Sequence, residues 1–451
     1  MDSTQRLADQ SEEAIYRKVT WRLSVLLFLG YMLNYLDRTN IGFAQLQMKG
    51  DVGISDAAYG FGAGLFFVSY VLFAIPSNIV LNKIGARRTI CVSLCGWGLI
   101  SSATMFIHTR NEFYTARCLL GAVEAGFYPG ALFYFTQWYP SHRRAKIVGI
   151  FTSAAVVAGV VSGVLSGTLM TYLNGYEALR GWQWMFFLEG LPSIALGIVV
   201  YFFLDDKPAY AKWLSGDERK TIIEILRRDP AVNASQRAAG QAFGNWRVYL
   251  LGLIYFVIMF QTYALAFWQP TMIREFGVSS VVIVGLYSTV PPLVAIVAKV
   301  WIGYHSDRQR ELRWHFAISA FIGVVGLFLT PYFSHSPILG IACLALATAG
   351  AHGCIPVFWS VPGLFLSGTA AAVGIALINA IGNTAGFIGP SLLGAIKTET
   401  GGFTLSLYIM ASLLACGAVM MLALVPKQQQ VASQAPGLHG EAELVDQAMP
   451  K

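Results

Sequence analysis

Charge is what this sequence has least of. Only 12% of its 451 residues are Asp, Glu, Lys or Arg, against ~25% in an average soluble domain. Hydrophobic residues make up 55%, which excludes a chain built for water. The marks of an enzyme are missing too: there is no HExxH, no GxSxG, no Walker A sequence and no cofactor motif. Cysteine is sparse, and Cys91, Cys95, Cys118, Cys343, Cys354 and Cys416 show no metal-ligand spacing with histidine, so they read as small core residues. A cleavable signal peptide is not expected, because the opening "MDSTQRLADQSEEAIYRK" is polar and the first apolar run exceeds an h-region.

What the sequence has instead is long apolar runs. Crossing a bilayer takes about 20 apolar residues, and twelve such runs are read: 21–46, 56–81, 88–107, 111–138, 143–170, 181–204, 245–271, 282–304, 314–332, 337–360, 369–396 and 402–425. The fold class is therefore an all-α membrane protein with twelve transmembrane helices in two six-helix halves. The divisions are a segment 1–20, a bundle 21–204, a linker 205–244, a second bundle 245–425 and a tail 426–451 that is expected to be disordered. Within the linker, Ser215 and Glu218 have capping-box spacing at the head of a surface helix. The basic turns "LNKIGARR" and "GYHSDRQR" recur after the second and eighth spans. Such an echo suits a parallel repeat, with a binding site at the midplane between halves.

The net charge of +7 would suit nucleic acid, but the distribution of the bases argues against it. Of 31 Lys and Arg, the termini and even-numbered loops hold 23, whereas the opposite loops hold five: Lys49, Arg110, Arg180, Arg274 and Lys397. That asymmetry predicts both termini in the cytoplasm, and the expected location is the cell inner membrane, crossed many times. No nucleic acid is expected as a partner.

Three bases, Arg38, Arg117 and Lys299, fall within spans well away from their ends. An intramembrane charge costs about 2.5–3.5 kcal/mol on insertion scales, so it survives by facing a cavity or a partner. In "YLDRTN", Asp37 and Arg38 are adjacent, hence about 100° apart on a helix, and each should find its partner on another helix. Arg117 and Glu124 lie seven apart on one face of the fourth span, roughly 10 Å along its axis. The expectation is a central cavity receiving two cations and two acids. An ion-pair network that only locks helices explains the pairing, but not why so costly a network recurs on two helices. Glu189 is read as structural, meeting backbone or a serine at a helix break near Pro192. Lys299 is read as snorkelling to the cytoplasmic face, and His352 as a core histidine. With Asp37 and Glu124 ionised this set is neutral; an incoming anion unbalances it, and protonating one carboxyl restores the balance. Substrate anion and proton should then move together, with the proton as coupling ion and no cofactor.

The stretches "YLDRTNIGFAQL", "RCLLGAVEAGFYPG", "GWQWMFFLEGLP", "GARR", "GYHSDRQRE" and "GNTAGFIGP" resemble the anion:cation symporter branch of the major facilitator superfamily, over residues 20–425. The resemblance implies proton-coupled import of organic anions such as tartrate, phthalate, 4-hydroxyphenylacetate or sugar acids. It implies proton carriage by Asp37 and Glu124, with Arg38 and Arg117 as their charge partners and Arg117 coupled to the deeper carboxyl. It also implies substrate contacts at Tyr35, Tyr70 and Asn383. Two departures matter. Ala154 and Ala155 stand where a sugar-acid carrier offers glutamine, so a less hydroxylated acid is expected, with Phe358, Trp359 and Ser360 lining an aromatic pocket. Asn82 replaces the acid usual in the first cytoplasmic turn, which leaves gating to Arg87, Arg88, Asp307 and Arg308. The chain is expected to import an aromatic or short hydroxy-carboxylate as a monomer. A sugar-acid symporter and an organic-anion exporter are the alternatives; a substrate-sensing receptor would usually carry an added soluble domain, and a membrane enzyme lacks any motif.

Overall fold

The computed structural model describes residues 12–229, 243–366 and 368–425; the tail 426–451, residues 230–242 of the expected linker and residues 1–11 of the expected first segment lie outside them. Among the described residues every regular element is helical. The first six spans are α1 (Glu12–Val52), α2 (Asp56–Ile84), α3 (Ala86–Phe106), α4 (Arg110–Trp138), α5 (Ser141–Tyr172) and α6 (Gly181–Phe203). The second six are α7 (Trp246–Glu275), α8 (Val281–Gln309), α9 (Arg313–Leu329), α10 (Pro337–Ser360), α11 (Gly368–Asn383 and Ala385–Thr400) and α12 (Thr404–Leu424). Eleven are long and apolar enough to cross a membrane, and α9 is a shorter apolar helix. Outward side chains such as Leu72, Ile75 and Phe202 are exposed and apolar, as a lipid-facing surface requires.

Two helices break where the sequence removes a donor. α4 is interrupted at Ala125–Gly126, directly after Glu124; Pro129, four residues on from Ala125, has no N–H to return to its carbonyl. α8 is interrupted at Thr289, just before Pro291 and Pro292.

α1 starts earlier than its apolar run. Residues 12–20 carry enough charge to look like a solvated segment, yet Ile15, Tyr16 and Val19 are buried and the helix runs on through a π-turn at Thr20–Ser24. Polar neighbours hold this extension: Arg143 lies 3.0 Å from Glu12 and Lys18 lies 2.9 Å from Glu218. The expected linker helix forms at Gly216–Arg227, with the capping box between Ser215 and Glu218 in place. The Ser215 N–H, and then Lys18, hold the Glu218 carboxyl below its usual range.

The halves meet at one end of the bundle. Gly60 and Gly163 allow backbone to approach backbone there: a Cβ on Gly60 would lie 2.3 Å from the Pro390 carbonyl oxygen, and one on Gly163 2.5 Å from that of Gly285. Hydrogen bonds from Ala57 N to Thr398 Oγ1 (2.9 Å) and from Tyr59 Oη to the Phe267 carbonyl (3.1 Å) add to the seal. Lys397 sits between Glu275 of its own half and Asp56 of the other. At the opposite end, which carries the linker, the basic turns stay within their own halves. The Arg87 N–H donates to Asp206 (2.9 Å) and Ser306 Oγ to the Glu311 carbonyl (2.7 Å). The bundle is thus shut at the Asp56–Lys397 end and parts toward the linker end. Gly60→Val is expected to abolish transport while the protein still folds, because this closure needs a bare α-carbon. Uptake together with a thermal melt of the purified variant checks this; wild-type uptake would show that the approach is not required.

Candidate functional site

Between the halves lies a cavity of about 700 Å³. The N-terminal half contributes Tyr35, Arg38, Tyr70, Tyr128 and Ala155 to its wall; the C-terminal half contributes Tyr255, Tyr263, Lys299, His352, Trp359 and Asn383. Arg38 and Lys299 are the charged groups on this wall, and no carboxylate lines it among the described residues. The aromatic residues are organised by one another and by charge. Trp359 stands edge-on to Tyr255 at 4.9 Å between ring centroids. Tyr263 donates to Asn383 Oδ1 at 3.0 Å. The Arg38 guanidinium lies 5.0 Å from the centre of the Tyr70 ring and 5.4 Å from that of Tyr35, within cation–π range.

The acids lie behind that wall. Arg38 reaches across to α4, where its Nε donates to Glu124 Oε2 at 2.8 Å, and Asn34 Nδ2 donates to the same oxygen at 2.6 Å. Asn34 and Arg38 are four residues apart, so one face of α1 grips Glu124 twice. Asp37, turned away from Arg38 as adjacent helix positions must be, accepts from Ser101 Oγ at 2.6 Å on α3. Asn40 Nδ2 bridges Asp37 Oδ1 (3.2 Å) and Glu189 Oε2 (3.1 Å), and Ser166 Oγ donates to Glu189 Oε1 at 2.8 Å. Asp37, Glu124 and Glu189 are all buried.

Several expectations need correction. The cavity does not receive two cations and two acids: Arg38 is on its wall, while Asp37, Glu124 and Arg117 are packed away from it. Arg117 is not the ion-pair partner of Glu124. The seven-residue spacing that places both on one face also sets them two turns apart, and Arg38 takes Glu124 instead. Arg117 is buried beside the Phe66 ring at 5.1 Å, and its Nε and one terminal nitrogen have no hydrogen-bond partner among the described residues. Ser360, a helix step round from Trp359, is not on the cavity wall; it is exposed and donates to the Pro356 carbonyl at 3.3 Å. Of the alanine pair, Ala155 lines the cavity and Ala154 is buried behind it. Lys299 does not snorkel out; it is on the cavity wall, as is His352. Glu189 meets a serine as expected, but it is Ser166 on α5 and α6 runs unbroken through Pro192. Arg88, Asp307 and Arg308 are exposed and, with Arg87, which bonds Asp206 of its own half, they bridge nothing between the halves among the described residues. Asn34, Asn40, Ser101 and Ser166 went unread, although Asn34 and Asn40 stand at helical spacing from Arg38 and Asp37.

Because Arg117 has buried donors without partners, Arg117→Met is expected to keep or raise the melting temperature. A loss of several degrees would show that its charge is satisfied in the fold.

The sequence profile of the Major Facilitator Superfamily matches residues 27–390. The chain belongs to that superfamily. As a major facilitator it is a multi-span membrane protein and a secondary transporter of a small molecule, not an enzyme. It is 43% identical, over 92% of its length and 95% of the relative's, to a putative tartrate transporter of Agrobacterium vitis. It is 38% identical, over 94% of its length and 98% of the relative's, to a quinolone resistance transporter of Acinetobacter baumannii. Among solved structures, the inward-open xylose transporter of E. coli superposes with a TM-score of 0.71 at 14% identity, covering 91% of this chain and 97% of that one. At that identity the likeness shows the fold alone.

Proposed function

We propose that this transporter is a proton-coupled symporter that imports a small organic carboxylate, aromatic or a short hydroxy-acid, by alternating access. The observation that carries this is the double engagement of Arg38, which is on the cavity wall and at the same time paired with the buried Glu124. A carboxylate entering the cavity competes with Glu124 for that guanidinium. As Arg38 turns to the substrate, Glu124 is left in apolar surroundings with Asn34, and a buried carboxylate without its cation is costly unless neutralised. Proton uptake by Glu124 therefore accompanies substrate binding. The wider balance agrees in number only: within the spans Asp37, Glu124 and Glu189 are matched by Arg38, Arg117 and Lys299, although Glu124 and Arg38 are the pair in contact, so an added anion calls for an added proton.

The bias of basic residues toward the linker end supports an inner-membrane orientation with that end in the cytoplasm. In that orientation the sealed Asp56–Lys397 end faces outward and the cavity opens inward. Each six-helix half moves as a unit, and the single-chain cavity, complete in itself, supports function as a monomer. Tyr35, Tyr70, Asn383 and Trp359 hold the body of the substrate, while Asp37 is a second proton carrier that Ser101 and Asn40 position.

An exporter reading has the quinolone-resistance relative in its favour. One assay separates the two. Proteoliposomes with an inward proton gradient are expected to accumulate a carboxylate and to lose it on adding a protonophore. Accumulation driven by a sodium gradient, or none of any carboxylate, would overturn the symport reading.

A further inference from the structure

We propose that Lys299 forms a second anion subsite, so that the cavity takes a dicarboxylate with one end on Arg38 and the other on Lys299. This rests on the reading of the cavity as a carboxylate site. The nearest acid along α8 toward the linker end is Asp307, eight residues away and therefore about 12 Å along the helix, beyond direct reach of the ammonium. Lys299 makes no hydrogen bond or ion pair with any described residue, and it lines the cavity from the C-terminal half. A lone cation in the middle of a membrane bundle is expensive to keep, and no carboxylate of the wall offsets it.

The neighbouring groups leave this charge free for a ligand. His352, on α10, lines the same cavity as Lys299. Its Nδ1 lies 3.0 Å from the Thr348 carbonyl, so it donates there and leaves Nε2 as an acceptor in the neutral ring. Pro292, Ile296 and Ile355 of the same wall are apolar, and among the described residues no carboxylate on it competes for the ammonium. The placement also suits alternating access. Arg38 belongs to one half and Lys299 to the other, and a carrier responds to its cargo only through interactions that differ between its states. A dianion held at both ends ties the halves together by charge; a monoanion on Arg38 engages the second half only through uncharged groups such as Trp359 and Asn383.

The test uses the purified full-length transporter and quenching of its tryptophan fluorescence by succinate and phthalate, against butyrate and benzoate. Lys299→Met is expected to weaken succinate and phthalate roughly thirtyfold or more, the effect of truncating one side of a buried charge contact, while leaving butyrate and benzoate nearly unchanged. Lys299→Arg should restore much of the dianion affinity. The melting temperature of ligand-free Lys299→Met should not fall, since no protein contact is removed. Equal weakening of mono- and dicarboxylates, or no change in either, would overturn the subsite. If Arg38→Gln abolishes all carboxylate binding while Lys299→Met changes nothing, the carboxylate reading stands and the dianion subsite falls. If wild-type protein binds none of the four acids, both fall.

Discussion

Glu124→Gln is expected to exchange carboxylate across the membrane at close to the wild-type rate and to lose accumulation entirely. Gln keeps the shape of a protonated glutamate and can still accept from Asn34, so the cavity and its approach are intact. What disappears is the negative charge that Arg38 must abandon when substrate arrives. With that charge gone, Arg38 is free for substrate at all times and the empty carrier no longer has to release a proton before it returns. Counterflow should therefore stay within about threefold of wild type, the scale of a modest ground-state change, while gradient-driven uptake reaches only equilibrium. Accumulation at the wild-type ratio in this variant would make Glu124 a structural residue.

Arg38→Ala should have the largest effect on both stability and transport. It removes the cation beside a fully buried carboxylate, and stranding one member of a buried pair costs about 3–5 kcal/mol. It also takes from the cavity wall its N-terminal-half cation. The variant should melt well below wild type and transport nothing. Combining it with Glu124→Gln should recover most of the lost stability, because no uncompensated charge then remains, but none of the transport. A double-mutant cycle in melting temperature measures this coupling. Additive losses would mean that the two side chains do not interact in the folded carrier, and recovered transport in the double variant would mean that Arg38 has no part in substrate binding.

The membrane architecture was legible because lipid leaves so few options: apolar runs of bilayer length must be helices, and all twelve appear where the runs lie. The start of α1 was not, because Ile15, Tyr16 and Val19 are interspersed with charges that satisfy themselves on Glu218 and Arg143, a tertiary arrangement that no local pattern reports. At the site, one-dimensional spacing identified which residues matter better than which residues touch. Adjacency correctly sent Asp37 and Arg38 to different neighbours. The Arg117–Glu124 spacing, read as a partnership, placed them on one face but two turns apart, and a residue on another helix took the contact. Lys299 was misjudged for a related reason: its distance from the cytoplasmic turn was legible, but the direction its stem takes is set by the packing of α8 against the other half.

The most direct test of the account is the movement of protons with substrate when no proton gradient is imposed. Vesicles carrying the transporter and a lumenal pH dye are given an outward-to-inward gradient of a carboxylate that protein-free vesicles do not admit. The account predicts that the lumen acidifies as the carboxylate enters, and that Glu124→Gln lets the carboxylate equilibrate with that acidification lost. Carboxylate entry through the wild-type protein with no change in lumenal pH would contradict it.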